Sequence, residues 1–227
     1  MAPSENLNKS FAVRTADILL EIKAISFNTD TYFQLASGKF SPVYVDCRRI
    51  ISFPKARTKI IRMMVSLIQE RVGEEFFQNI AGGETAGIPF AALVANELQL
   101  PMTYIRKKPK GYGKNSRIEG MLDAGENVLL VEDLATDGGS KFSFVDAIRT
   151  AGGNCRYSSV VFYYDIFPEA TRKLKEHGIE LLYLTNWQAI IDSQRIRTLL
   201  SSAEIREIST FLENPKYWQE KISGKTS

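Results

Sequence analysis

Residues Asn127 to Lys141 read NVLLVEDLATDGGSK, and the fold is decided there. Val128, Leu129, Leu130 and Val131 form a short continuous apolar run, the pattern of a strand covered on both faces. Two carboxylates follow at once, Glu132 and Asp133, at the expected C-terminal end of that strand. Thr136-Asp137-Gly138-Gly139-Ser140 is a small-residue turn, and Phe142, Val145 and Ile148 then keep helical spacing. Backbone N–H groups exposed in such a turn and in the first helical turn can hold a phosphate. Carboxylates just outside the strand end can accept hydrogen bonds from sugar hydroxyls. A plain strand-to-helix turn would need neither the adjacent acidic pair nor the double glycine, so the stretch reads as a sugar-phosphate site.

Upstream lies a second informative stretch. Met102 to Ile105 has strand character, and residues 106 to 117 then carry six basic side chains and no acidic one. Pro109, Gly111 and Gly113 disfavour a regular helix or strand there. A concentrated positive charge on a flexible loop suits a polyanion that must be covered and neutralised while a bond breaks. Only Tyr112 interleaves an aromatic ring with these charges, and the whole chain has a formal net charge of just +3, which argues against nucleic acid. Between the two N-terminal thirds, Asn79 to Gly83 reads as a short buried strand entering the turn Gly82-Gly83-Glu84-Thr85-Ala86-Gly87-Ile88-Pro89. That turn is neither GxxxxGK[ST] nor GxGxxG, so nucleoside-triphosphate and dinucleotide readings lose support.

Taken in order, the remaining chain frames these segments. Phe11 to Phe27 has the spacing of one amphipathic helix, and Tyr32 to Asp46 reads as a hairpin turning at Ser37-Gly38-Lys39. Pro54 starts a strong helix that Gly73 is placed to end. Tyr157 to Asp165 and Glu180 to Thr185 supply further strands around a helix from Pro168 to His177. His177 is the only histidine, and near a helix C-terminus it favours the dipole rather than chemistry. Trp187 to Leu200 is helical, Ser201 and Glu204 form a capping box for the next helix, and the tail from Lys216 is expected to be mobile.

Composition sets the outer bounds. The chain has 227 residues, 44% hydrophobic and 24% charged, which suits one soluble α/β domain over residues 1–227. Its expected parts are an N-terminal helix and hood to about residue 50, a core of about 54–185 and C-terminal helices of about 186–215. Cys47 and Cys155 lie far apart and read as reduced thiols. The polar first ten residues lack an apolar h-region, and the longest nearly apolar run, Ala86 to Ala95, falls well short of the ~18 residues of a span. A cytoplasmic location is expected.

Asn127 to Lys141 resembles the phosphoribosyl pyrophosphate (PRPP) motif of type I phosphoribosyltransferases, with four apolar residues, two acidic ones and a Thr/Gly/Ser-rich loop. RKKPKGYG at 106–113 followed by Ile118-Glu119-Gly120 is similar to the mobile catalytic loop of orotate phosphoribosyltransferases. Leu35-Ala36-Ser37-Gly38 with Ser41-Pro42 resembles the hood phrase of the same enzymes. The resemblance spans roughly residues 10 to 185, judged by element order. It implies an α/β fold with a mainly parallel five-stranded sheet, flanking helices and a small N-terminal hood. It also implies transfer of a ribose 5-phosphate group from PRPP to orotate.

The same resemblance implies the roles of particular residues. Arg106, Lys107, Lys110 and Tyr112 belong to the PRPP set, with Lys110 acting on the departing pyrophosphate. Glu132 and Asp133 hold the ribose hydroxyls and act in catalysis. Leu134, Ala135, Thr136, Asp137, Gly138, Gly139 and Ser140 complete the PRPP cradle. Thr136 and the backbone of Tyr44 and Val45 face orotate. Mg²⁺ is implied as a passenger on the substrate, with water between it and the carboxylates and no direct protein ligand. A homodimer sharing its active sites is implied as well. Four positions depart from the family pattern: Tyr112 stands where histidine is common, Ile166 where arginine pairs with the orotate carboxylate, and Ala36 and Ala86 where lysines are common. The carboxylate's partner is thereby left open. A transferase for another base and a PRPP-binding regulator are the rival readings, although a regulator would not need the basic loop.

Overall fold

The apolar run of Asn127 to Lys141 does become a buried strand, and the sheet is assembled around it. The computed structural model describes residues 3–35, 38–73, 75–109, 117–136 and 139–223. Helix α1 (Pro3–Glu21) leads into β1 (Ile25–Phe27), then the small strands β2 (Phe33–Gln34), β3 (Phe40–Ser41) and β4 (Val43–Val45). A 3₁₀ turn over Cys47–Ser52 precedes α2 (Pro54–Val72), β5 (Asn79–Gly83) and α3 (Gly87–Leu98). Next come β6 (Met102–Ile105), β7 (Ile118–Glu119), β8 (Asn127–Ala135), α4 (Gly139–Thr150) and β9 (Asn154–Tyr163). The chain continues with α5 (Pro168–Glu176), β10 (Glu180–Asn186), α6 (Trp187–Asp192), α7 (Ile196–Leu199), α8 (Ser202–Glu213) and α9 (Pro215–Ser223).

The main sheet has the order β10-β9-β8-β5-β6-β7. Its five longer strands are mutually parallel, and β7 adds a short antiparallel edge beside β6. The expected five-stranded parallel sheet is therefore present, with one edge strand more. Leu129 and Val131 pack into the core beneath α1, α2 and α3, while Val128 and Leu130 pack with Phe144, Val145 and Ile148 of α4. That alternation is the period of two that every strand imposes.

Four local expectations give way, one being the single helix over Trp187 to Leu200, which breaks after Asp192 into α6 and α7. The helix expected over Phe11 to Phe27 ends at Glu21, because Lys23 turns to φ 55° and Ala24 N–H reaches back to Leu19 O at 2.8 Å. Ile25 to Phe27 then pairs antiparallel with Val43 to Val45, so the second limb of the expected hairpin splits between β3, which pairs with β2, and β4, which pairs with β1. The tail expected to be mobile from Lys216 is helical as far as Ser223, with Trp218 only 1% exposed. The Ser201–Glu204 capping box is present as expected.

Candidate functional site

Strand β8 runs farther than its apolar run. Glu132 and Asp133 lie inside it, and the strand ends only at Ala135. The expectation that both carboxylates stand outside the strand end is thus corrected: pairing with β5 stops at Val131, but β9 keeps β8 extended through Glu132 to Ala135. Because side chains alternate along a strand, the two carboxylates leave β8 on opposite faces.

Glu132 continues the α4 face. A Cβ on Gly83 would collide with its Oε1 and with the Phe144 ring, and one on Gly87 would meet the same oxygen. The glycines of the 82–87 turn are therefore what lets the carboxylate approach the backbone. Glu132 Oε1 is buried without a hydrogen-bond partner among the described residues. Burial pushes the Glu132 carboxyl up to about 7, and the positive charge of Lys141 opposes that rise, as do the Gly83 backbone and Lys107. Asp133 continues the other face, toward Cys47 and Arg48. Its carboxyl is also raised by burial, against the Leu134 backbone, Lys141 and Arg48.

Lys141 is 2% exposed and donates from Nζ to Leu134 O at 2.7 Å. Its charge bears on both carboxylates. A buried ammonium at the start of α4 thus bends back over the end of β8 and ties the two sides of the glycine turn together. Lys141 closes the quoted motif, yet no role was expected for it; a lysine at the margin of an apolar helical face was the available signal.

The basic loop is anchored at both ends. Ile105 pairs with Ile118 and Tyr104 with Glu119, while Arg106 N–H donates to Arg117 O at 2.8 Å. Arg117 Nε returns a bond to Arg106 O at 2.8 Å, and Arg106 Nη1 lies 3.7 Å from Glu119 Oε1. Lys107 N–H donates to Glu84 Oε2 at 2.7 Å, joining the start of the loop to the glycine turn after β5. Arg106 and Lys107 accordingly stand beside that turn, with Lys107 in electrostatic reach of Glu132. Lys110, Tyr112, Asp137 and Gly138 lie outside the described residues, and of Ser140 only the backbone, in the first turn of α4 beside Gly139, is described. Leu134 and Ala135 are the last residues of β8, and Thr136 follows them.

On the hood side, Asp46 N–H donates to Ala24 O and Asn28 N–H to Pro42 O, at 2.8 and 2.9 Å. This register makes Ser26 and Tyr44 a hydrogen-bonded pair, so the Tyr44 N–H turns toward β1. The Val45 backbone turns the other way, toward Tyr164. Arg48 Nε is held by Asp46 Oδ1 at 2.7 Å, and its Nη2 lies 3.5 Å from the Tyr44 hydroxyl. Tyr44, Arg48 and Asp133 are thereby gathered at one side of β8, and Glu132, Lys107 and the 82–87 turn at the other. Lys141 bears on both. Arg48 was not anticipated, since its pairing with Asp46 matters only once the hood folds against β8.

Among the described residues no group of three or more His, Cys, Asp or Glu side chains is assembled as a metal cluster. The donor set is two hard carboxylates on opposite strand faces. It fits Mg²⁺ carried on substrate oxygens and water.

Comparison with known proteins agrees with this geometry. Residues 50–190 match the family model described as phosphoribosyl transferase domain. The chain is 56% identical over 206 residues to an orotate phosphoribosyltransferase of Ruegeria sp. (strain TM1040), covering 91% of each chain. Among solved structures it is similar to Leishmania donovani UMP synthase, with a TM-score of 0.73 and 26% identity over 88% of this chain, although it spans only 42% of that longer chain. It is also similar to orotate phosphoribosyltransferase from Aeropyrum pernix, with a TM-score of 0.66 and 26% identity, covering 82% of this chain and 99% of that one. The fold, the acidic strand leading into a glycine turn and these likenesses together place the chain in the phosphoribosyltransferase family, among the orotate phosphoribosyltransferases.

Proposed function

We propose that this pentosyltransferase moves the ribose 5-phosphate group from PRPP to orotate, forming orotidine 5′-monophosphate and pyrophosphate as a step of pyrimidine biosynthesis. The observation that carries the reading is the buried acidic pair of β8, followed by a glycine turn into α4 and flanked by a hood and a basic loop. The base nitrogen forms a bond to the ribose C1 while the bond from C1 to the pyrophosphate oxygen breaks, and positive charge grows on the sugar. Asp133 and Glu132 hold the ribose hydroxyls and stabilise that charge. The backbone of Thr136 to Ser140 holds the 5′-phosphate at the N-terminus of α4. Arg106, Lys107 and Lys110 neutralise the departing pyrophosphate. Bound Mg²⁺ would supply further charge neutralisation at the pyrophosphate, held by Glu132 and Asp133 through water. Val45 and Thr136 orient the base, with Tyr44 beside them.

The family resemblance implies sites shared across a homodimer, and that arrangement is proposed here. The two cysteines are free and buried, in keeping with a cytoplasmic protein, and no helix among the described residues is long and apolar enough to cross a membrane. The test is pyrophosphate release on mixing the enzyme with PRPP, Mg²⁺ and one base at a time. Orotate is expected to react faster than uracil, hypoxanthine or adenine at equal concentration. A faster reaction with a base lacking a carboxylate would overturn the choice of substrate and leave the PRPP half standing.

A further inference from the structure

We propose that the C-terminal helix α9 is a positioning element for the hood, and that Gln219, supported by Glu207, sets the pose in which the hood receives the base. The inference rests on the reading that the hood holds the base.

The hairpin of β2 and β3 has two edges. Leu35 N–H bonds Lys39 O at 2.8 Å, which makes 35/39 and 33/41 the hydrogen-bonded pairs and leaves Gln34/Phe40 a non-bonded pair. Both backbone polar groups of Phe40 therefore point away from β2. The side-chain amide of Gln219 meets both: Phe40 N–H donates to Gln219 Oε1 at 3.2 Å, and Gln219 Nε2 donates to Phe40 O. The carboxamide acts as a single peptide unit added to the strand edge, with donor and acceptor in the order a neighbouring strand would present.

A second attachment holds the root of the hairpin. Tyr32, just before β2, has φ 58°, and its ring meets the Trp218 ring edge-on at 4.8 Å. Glu207 Oε1 accepts from Trp218 Nε1 at 2.8 Å and from the Tyr32 hydroxyl at 3.4 Å. Phe211 packs on the far side of Trp218 at 5.1 Å. Root and tip of the hairpin are thus both gripped by the α8–α9 pair.

Between these grips lies a cleft of about 900 Å³, bordered by Leu35, Phe40, Ile166, Phe211 and Gln219. The hood is therefore not packed onto the C-terminal helices as a core would be, and the tip's orientation depends on the Gln219 bridge. That orientation reaches the site through one short, stiff link. Ser41 is 2% exposed; its Oγ donates to Val43 O at 2.7 Å and accepts from Val43 N–H at 3.2 Å, which couples β3 to β4. Tyr44 and Val45 follow directly.

The experiment compares wild type with Gln219→Ala and Gln219→Glu in steady-state kinetics, together with amide hydrogen exchange over residues 33–41. Gln219 is only half buried and belongs to a helix outside the main sheet, so Gln219→Ala is expected to keep its melting temperature within a few degrees. Loss of the two-bond bridge should raise the KM for orotate about fivefold and leave the KM for PRPP unchanged. The Phe40 amide should exchange faster. Gln219→Glu keeps the acceptor for Phe40 N–H but sets a carboxylate oxygen against Phe40 O, so it should raise the orotate KM at least as far as Gln219→Ala. An unchanged orotate KM beside faster Phe40 exchange would overturn the inference, as would a joint rise of both KM values. If wild type turns over another base, the same comparison is read with that base. If wild type turns over none, the proposed function fails, and equal Phe40 exchange in wild type and Gln219→Ala overturns the clamp separately.

Discussion

Asp133 and Glu132 are adjacent in sequence, yet β8 turns them to opposite faces and gives them different neighbours. Asp133, between the hood and the substrate face, is assigned to the ribose, so Asp133→Asn removes charge stabilisation while preserving shape. Turnover should fall at least about tenfold with an unchanged circular dichroism spectrum; near-wild-type turnover would remove this carboxylate from the mechanism. Glu132 carries a different signature. Its carboxyl rises from an ordinary value of 4.5 to about 7 through burial. The native state then holds the proton more tightly than the unfolded chain does. The resulting stabilisation is complete below pH 4.5 and is lost as pH rises through about 7. Glu132→Gln cannot ionise and lacks this loss. Relative to wild type it should gain stability between pH 4.5 and pH 8, by an amount on the order of 3 kcal/mol, read from urea unfolding at the two pH values. Parallel pH profiles for the two proteins would contradict the shift. The ribose role of both carboxylates was implied by the family resemblance, but their separation onto opposite faces was not legible, because it depends on where the strand stops.

Among the elements, the basic loop is the one whose ends matter most. β6 and β7 close its base, and Glu84 ties Lys107 to the glycine turn after β5 through a 2.7 Å bond. Glu84→Ala would release Lys107 while leaving the strand pairing intact. The KM for PRPP should rise about fivefold and that for orotate should stay put, as steady-state kinetics with each substrate varied would show; an unchanged PRPP KM would detach Glu84 from pyrophosphate binding. The loop itself was legible, because six basic residues among glycines and a proline have few other uses. So were the buried β8 run and the helix from Pro54 to Gly73, where periodicity and end signals agree. Strand β1 was hidden, since Ile25 continues the spacing of α1 and the break at Lys23 carries neither glycine nor proline. Helix α9 was hidden for a related reason. It is short, and what orders it is Trp218 against Tyr32 and Phe211, contacts that exist only after the hood folds. Lys141 and Arg48 escaped notice because their partners come from the end of β8 and from the hood, which only tertiary structure brings near.

At the scale of the molecule, those members of the proposed site that lie among the described residues stand where the C-terminal ends of β5, β6 and β8 meet the hood, and that placement has a consequence for assembly. A loop anchored at β6 and β7 starts beside its own glycine turn, yet the proposed dimer has it acting in the neighbour's site. Each site would then combine Asp133 of one subunit with Lys110 of the other. Lys110→Ala and Asp133→Asn would each be inactive alone. Mixed under subunit exchange, they would form heterodimers in which one site carries both lesions and the other carries neither. At equal mixing half of the dimers are mixed and each has one intact site of two, so about a quarter of wild-type activity should return. Activity is read after exchange, with native mass spectrometry reporting the heterodimer fraction. Recovery that tracks this fraction would establish that the loop crosses between subunits. Heterodimers present without recovery would mean that the loop, held at Arg106 and Arg117, closes over its own subunit's pyrophosphate, and that the dimer, if formed, leaves each site complete within one chain.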